Sequence, residues 1–347
     1  MMTADRSEHW LPMLETGEPR LINSGIQMDK YDELEKYADY EEYFEAKDRK
    51  RQKKQSANKK SGQETGREEL SDFSDDIADF VPSYAVSLDP QHHERQWVID
   101  SISSFYRDNL ITDVTRRVKA GKEANVYCCT AHPATEIELI AAKLYRPRML
   151  RTLKNDADYK AGRMLRGEDG KQMKGRREKL AIHKKTKFGK KLDTVWWIGN
   201  EFKIQSKLFD AGADVPAVVA HNGNTILMEY VGDEQLPAPT LSDIRLDKES
   251  AHTLFDQIMR NVSLMLDLGF VHGDLSAYNI LYWNETIRII DFPQVVEIAK
   301  NPNAYRFFMR DVRRVCSYFG RLGVKCDADA VGREIWENAP GTSGLMD

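Results

Sequence analysis

Asp274, Asn279 and Asp291 stand among apolar residues in the stretch "FVHGDLSAYNILYWNETIRIIDF", Phe270 to Phe292. Carboxylates are seldom placed in apolar surroundings without a partner. A divalent cation that carries phosphate oxygens satisfies several of them at once. Magnesium takes oxygen ligands in near-octahedral geometry and usually shares them with substrate phosphates. Asn279 and Asp291 can supply two such oxygens. Asp274 sits at a turn, where it can orient a hydroxyl or water and accept its proton. Each residue alone reads equally well as a capping Asp or a turn Asn of an ordinary hairpin. The joint pattern H-x-D-x-x-x-x-N followed by I-I-D-F does not, and it points to phosphoryl transfer.

Two upstream features match that chemistry. In "AAKLYRP", Lys143 lies among apolar strand residues and needs anions, which phosphate and a carboxylate supply. Glu201, in the helical stretch "WWIGNEFKIQSKL", is its natural partner. In "KAGKEANVY", Gly121 opens a turn between two strands, and its backbone amides and Lys122 can lie over phosphates. One glycine in a hairpin turn is by itself ordinary.

The elements that must hold these residues are legible as periodicity. "QWVIDSISSFYRDNLI" has apolar residues at helical spacing, and "VTRRVKAGKEANVYCCTA" reads as strand, glycine turn, strand, with Val126 and Cys128 on one face. A strand over Glu138 to Pro147 is stopped by the proline. A helix from Thr194 ends at Gly212, and "AVVAHNGNTILMEYV" reads as a hairpin around Asn222-Gly223. "SAHTLFDQIMRNVSLMLDLGF" is an amphipathic helix with Gly269 at its C-terminal cap. Two short strands, Ile280 to Trp283 and Ile287 to Ile290, flank a turn at Asn284, and a helical C-terminus follows.

Length and composition describe a soluble globular chain of 347 residues with net charge -4. No apolar run approaches a membrane span, and the N-terminus carries no secretion signal. Cys128, Cys129, Cys316 and Cys326 include no CxxC pair, so neither a disulfide nor a zinc framework is expected and a reducing cytoplasm is the default. Residues 1–85 alternate acidic and basic blocks without sustained apolar periodicity, as a charged, disordered tail would. The block 151–192 holds 15 Lys or Arg against 5 Asp or Glu. It suits either a polyanionic partner or a solvated loop.

The quoted motifs, with "LMEYVG" (Leu227 to Gly232), "VHGDLSAYNIL" (Val271 to Leu281) and "IIDFPQ" (Ile289 to Gln294), resemble the RIO family of atypical protein kinases, closest to its type-one branch. The resemblance covers residues 85 to 330. It implies an α+β, trimmed two-lobed kinase fold: a β-rich N-lobe over 86–231, with an N-terminal helix and the insertion 151–192, and a mainly helical C-lobe over 232–347. It implies ATP in the cleft, with Lys143 on the α- and β-phosphates and paired with Glu201. Asp274 is then the catalytic aspartate, and Asn279 and Asp291 hold Mg2+. Gly121, Lys122 and Val126 cover the nucleotide. Met228 is the gatekeeper, and the backbone of Glu229 and Val231 meets adenine. The family works in maturation of the small ribosomal subunit, autophosphorylates on serine and can act as an ATPase switch. Pre-ribosomal RNA is the partner expected for 151–192.

The chain departs from ordinary protein kinases at several points. Lys119-Ala120 precede Gly121 where this family typically has Ser-Thr. Gly273 replaces the Arg of H-R-D, Phe292-Pro293-Gln294 follows Asp291, and no A-P-E motif comes after it. A phosphorylation-clamped activation segment is therefore not expected. Two other readings are a small-molecule phosphotransferase of the aminoglycoside or choline kinase kind, which shares H-G-D-x-x-x-x-N, and a non-catalytic assembly factor that binds ATP or RNA.

Overall fold

Strand β2, covered on both faces, organises the front of the molecule. The computed structural model describes residues 86–89, 94–146, 187–340 and 342. The charged N-terminal stretch and most of the basic block lie outside the described residues. Strands β1 (Ile111–Ala120), β2 (Ala124–Ala131), β3 (Leu139–Tyr145), β4 (Val218–His221) and β5 (Thr225–Glu229) form an antiparallel sheet in the order β1-β2-β3-β5-β4. Successive strand side chains point to opposite faces. Tyr127 and Cys129 therefore pack against helix α1 (Arg95–Arg107), with its Trp97, Ile102 and Phe105. Cys128 points the other way, to Trp197 and Phe202 of helix α2 (Lys187–Asp210). Both thiols are buried and free. Each large apolar side chain so buried contributes about 1.5–3 kcal/mol.

The expected end of the basic block moves. Lys187 to Leu192 already belong to α2. Lys and Leu are good helix formers, and the charge run concealed that propensity. Just before the block, Arg146 reaches a buried network: its Nη2 donates to Asn125 Oδ1 at 2.9 Å, and Asn125 Nδ2 donates to Glu94 Oε2 at 2.7 Å.

The back of the molecule is mainly helical. Helices α3 (Lys248–Asp267), α4 (Ala304–Gly320) and α5 (Ala328–Asn338) share one core with the short strands β6 (Phe270–Val271), β7 (Ile280–Trp283), β8 (Thr286–Ile289) and β9 (Val296–Glu297). Asp247 caps α3 by accepting the Ser250 N–H at 2.9 Å. Beyond its other end Gly269 has φ +81°, the left-handed conformation that ends helices. The β7–β8 turn uses Asn284 and Glu285, both at positive φ, as a two-residue hairpin needs. The result is the α+β, two-lobed arrangement that the sequence implies.

One expectation about the cysteines fails. Cys316 of α4 and Cys326 are joined in a disulfide, with Cα atoms 5.6 Å apart. The chain doubles back after α4, where the Leu322 and Val324 N–H groups both donate to the Phe319 carbonyl. A spacing of ten residues gives no hint of that return.

Candidate active site

Lys143 is placed by strand register. It stands on the central strand β3, opposite Val126 of β2 and Ile226 of β5. Its ammonium lies 2.8 Å from Glu201 Oε1 of α2 and 2.9 Å from Asp291 Oδ1, just past β8. Burial alone would lower the Lys143 pKa, but Asp291 and Glu201 together hold it well above the ordinary lysine value. Asp291 has φ +74°. A non-glycine residue there stores about 1–3 kcal/mol of strain, which the surroundings must hold in place. The Asp291 side chain is 41% exposed, at the cleft. Withdrawal from water would raise its pKa, but the Lys143 ammonium outweighs this and keeps it low.

The turn before β7 presents Asp274 and Asn279. Gly273 has φ +80°, which explains a glycine where other kinases carry Arg. His272 is buried and neutral in role: its Nδ1 accepts the Asp274 N–H at 3.3 Å, and its Nε2 lies 3.2 Å from the Ile290 carbonyl as donor. Burial lowers its pKa, in keeping with that tautomer. The ring thus ties the Asp274 turn to the strand that ends at Asp291. Asn279 Nδ2 donates to the Asp274 carbonyl at 2.9 Å. That bond fixes the amide and leaves Oδ1 as the atom suited to a cation.

Gly121 closes the β1–β2 turn by donating its N–H to the Ala124 carbonyl at 2.9 Å. A Cβ there would lie 2.6 Å from that same oxygen, so only glycine fits. Lys122 is exposed in the turn. Met228 is buried beside Gln205 of α2, whose amide donates to the Pro216 carbonyl. The Glu229 carboxylate accepts from the Ala217 N–H and lies 3.4 Å from Arg288 Nε of β8, so it spans sheet and back lobe. The Val231 carbonyl accepts from the Ala238 N–H at 2.9 Å.

Lys143, Glu201 and Asp291 are thus in direct contact, and Asp274 and Asn279 share the adjoining turn. Residues 126–331 match the RIO domain. The chain belongs to the RIO family of serine/threonine protein kinases. It is 30% identical over 245 residues to the RIO-type serine/threonine-protein kinase Rio1 of Haloferax volcanii, covering 70% of this chain and 74% of that one. It is also 30% identical to human serine/threonine-protein kinase RIO1 over 230 residues, and 29% identical to the Caenorhabditis elegans RIO1 over 208. Those matches span 36% and 37% of the relatives' own lengths.

Two features of this RIO site escaped sequence reasoning. The first is Glu123, in the "GKEANVY" turn. Burial, and next the charge of Asp291, push its carboxyl up to about 7. Glu123 thus lies in the combined field of Asp291, Lys143, Glu201 and Asp274. The Asn279 amide oxygen and the Asp291 carboxylate are oxygen donors of the kind magnesium takes. The second is α4. Asp311 accepts the Gly273 and Leu275 N–H groups at 2.7 and 3.1 Å, one on either side of Asp274. Burial pushes its carboxyl up to about 7, against the pull of Arg310. Arg310 donates to the Gly273 carbonyl, and Arg314 Nη1 lies 2.6 Å from Asp274 Oδ1. Glu123 lay inside a quoted motif. For Asp311 the only signal is an Asp inside the apolar stripe of an amphipathic helix.

Proposed function

We propose that this RIO kinase transfers the γ-phosphoryl group of ATP to serine or threonine hydroxyls, with Asn279 and Asp291 as its magnesium ligands. The observation that carries the reading is the bridge from Lys143 to both Glu201 and Asp291. It joins front and back lobes at one ammonium. Lys143 can then grip the α- and β-phosphates while Glu201 keeps it aimed across the cleft. Asp274 accepts the proton of the attacking hydroxyl. Gly121 and Lys122 cover the phosphates, and Val126 packs on the base. Met228 bounds the adenine pocket, and the backbone of Glu229 and Val231 meets its edge. Magnesium, when bound, neutralises phosphate charge as the phosphoryl group moves. Only a short segment links Asp291 to α4, so no clamped activation loop is needed.

The family resemblance supports a role in small-subunit maturation, with the chain itself among its substrates; the cysteine usage suits a cytoplasmic setting, and the charge of 151–192 suits contact with structured RNA. No helix of the described residues is long and apolar enough to cross a membrane. A single-turnover ATP assay with and without ribosomal particles tests the reading. ADP formation together with phosphoserine supports it; an absence of both removes it. Charge reversal of Lys184, Lys185, Lys190 and Lys191 tests the RNA contact. The salt slope of RNA binding is expected to shrink by roughly one unit per lost phosphate contact. RNA affinity unchanged at several salt concentrations would leave a solvated loop.

A further inference from the structure

Asp274 is already engaged. Its Oδ1 lies 2.6 Å from Arg314, and the two side chains are 36% and 41% exposed. An exposed ion pair of this kind shifts an equilibrium only a few-fold, so a competing carboxylate can displace it. Arg314 is one of a row: Arg306, Arg310, Arg313 and Arg314 recur at helical spacing along α4. Arg306, Arg313 and Arg314 are exposed. Arg310 is spent on the Gly273 carbonyl, and Arg313 pairs with Asp329 at 2.9 Å. Tyr278, in the same turn as Asp274, is 69% exposed. A hydroxyl that approaches Asp274 therefore passes a guanidinium and an uncovered aromatic ring.

We propose that Arg314 is a specificity-determining residue that directs the kinase to serines followed by acidic residues, and that its occupant is the chain's own segment Glu68–Phe80. That segment, "EELSDFSDDIADF", holds Ser71 and Ser74 among six carboxylates and no Lys or Arg. Ser74 is followed directly by Asp75 and Asp76 and preceded by Phe73, which matches the guanidinium and the Tyr278 ring. The basic block 151–192 contains no serine and carries the wrong charge. The twelve residue steps from Ser74 to Val86 reach at most about 40 Å when extended.

The proposal rests on Asp274 as catalytic aspartate of the reaction above. Asp75 and Asp76 take Arg314 from Asp274. The freed carboxylate accepts the Ser74 hydroxyl proton as the Oγ–phosphorus bond to the γ-phosphate forms. The bond from that phosphorus to the β–γ bridging oxygen breaks, and ADP leaves. A serine flanked by basic residues has nothing to offer Arg314, and the base stays occupied.

The test uses the full chain with Mg-ATP, phosphosite mapping by mass spectrometry, and the initial rate of phosphate incorporation. Phosphate is expected on Ser74, with Ser71 as the secondary site. The triple variant Asp72→Asn, Asp75→Asn, Asp76→Asn is expected to lose about tenfold in rate, since several ion pairs of a few-fold each are removed. In an Arg314→Gln background the same tail variant is expected to change little, a coupling that a double-mutant cycle reads directly. Arg314→Glu combined with Asp75→Lys and Asp76→Lys is expected to recover most of the rate that either charge change alone removes. A merely structural arginine would show no such rescue. Phosphate found only outside Glu68–Phe80, or a tail variant as fast as the wild type, overturns the proposal and leaves the kinase reading intact. ADP release without any phosphoprotein overturns both.

Discussion

The two halves of the cleft hold their charges by different means. In the front half Lys143 is set by strand register and Glu201 by one turn of a packed helix. In the back half Asp274 and Asp291 stand on irregular backbone, with left-handed φ at Gly273 and Asp291. Their positions are fixed by side chains that reach main-chain atoms: His272, Asn279 and, from α4, Arg310 and Asp311. A front-half change should therefore remove a charge and leave geometry alone. A back-half change should disturb geometry even where no charge in contact with substrate is lost.

Asp291 belongs to both schemes, so its replacement is the severest break. Asp291→Ala removes the partner of Lys143 and a candidate metal ligand together. Turnover of ATP is expected to fall by at least about 10³-fold. Alanine also tolerates positive φ less well than aspartate. Asp291→Asn keeps the backbone preference and is expected to be nearly as inactive. Single-turnover assays on protein whose thermal unfolding is unchanged make the check. ATP turnover persisting near the wild-type rate in Asp291→Asn would remove this residue from the mechanism.

Lys143→Ala comes next. Transfer is expected to fall by about two orders of magnitude, the cost of one lost charge-stabilising contact, about 3 kcal/mol. Glu201 is then left buried without its cation, so the variant should also unfold at lower temperature, because removal of one partner from a buried pair is destabilising. Asp311→Ala attacks the back half. It strands the Gly273 and Leu275 N–H groups, each worth about 1–3 kcal/mol when buried and unpaired. Asp311 touches no reacting group, so kcat is expected to fall about tenfold with KM for ATP little changed. A rise in KM for ATP with kcat unchanged would show that the helix supports the nucleotide pocket and not the Asp274 turn.

The same contrast decides how much was legible in the sequence. Strand alternation around Cys128 and Cys129, the Asn222-Gly223 and Asn284 turns and the amphipathic α3 all come from periods and turn chemistry that a single segment carries. Lys143 with Glu201 was legible because a lysine in an apolar strand demands an anion and a helix offered one. Asp311, Arg310 and Arg314 were not, because their partners are backbone atoms or a carboxylate 40 residues away, and no local pattern records such a contact. The Cys316–Cys326 disulfide fails for the same reason. Glu123 was visible as a letter, but its state depends on Asp291 and Lys143, which only the folded cleft brings near.

Glu123 therefore gives the mildest and most pointed test of the front half. Its carboxyl rises from an ordinary 4.5 to about 7 in the folded protein, first through burial and then through Asp291. A raised folded value means that the folded state favours the protonated form. That contribution to stability is fully present below about pH 4.5 and is lost as the pH rises through 7. Above 7 the group is ionised in both states, and the folded protein carries the whole penalty. Glu123→Gln avoids the charge, so it is expected to unfold at a higher temperature than the wild type at pH 8. With the partial exposure of the group discounted, the gain should be on the order of 1 kcal/mol. The two melting curves should converge as the pH approaches 4.5. A glutamine variant with the same advantage at pH 5 as at pH 8 would show that packing, not charge, sets the energetics of this turn.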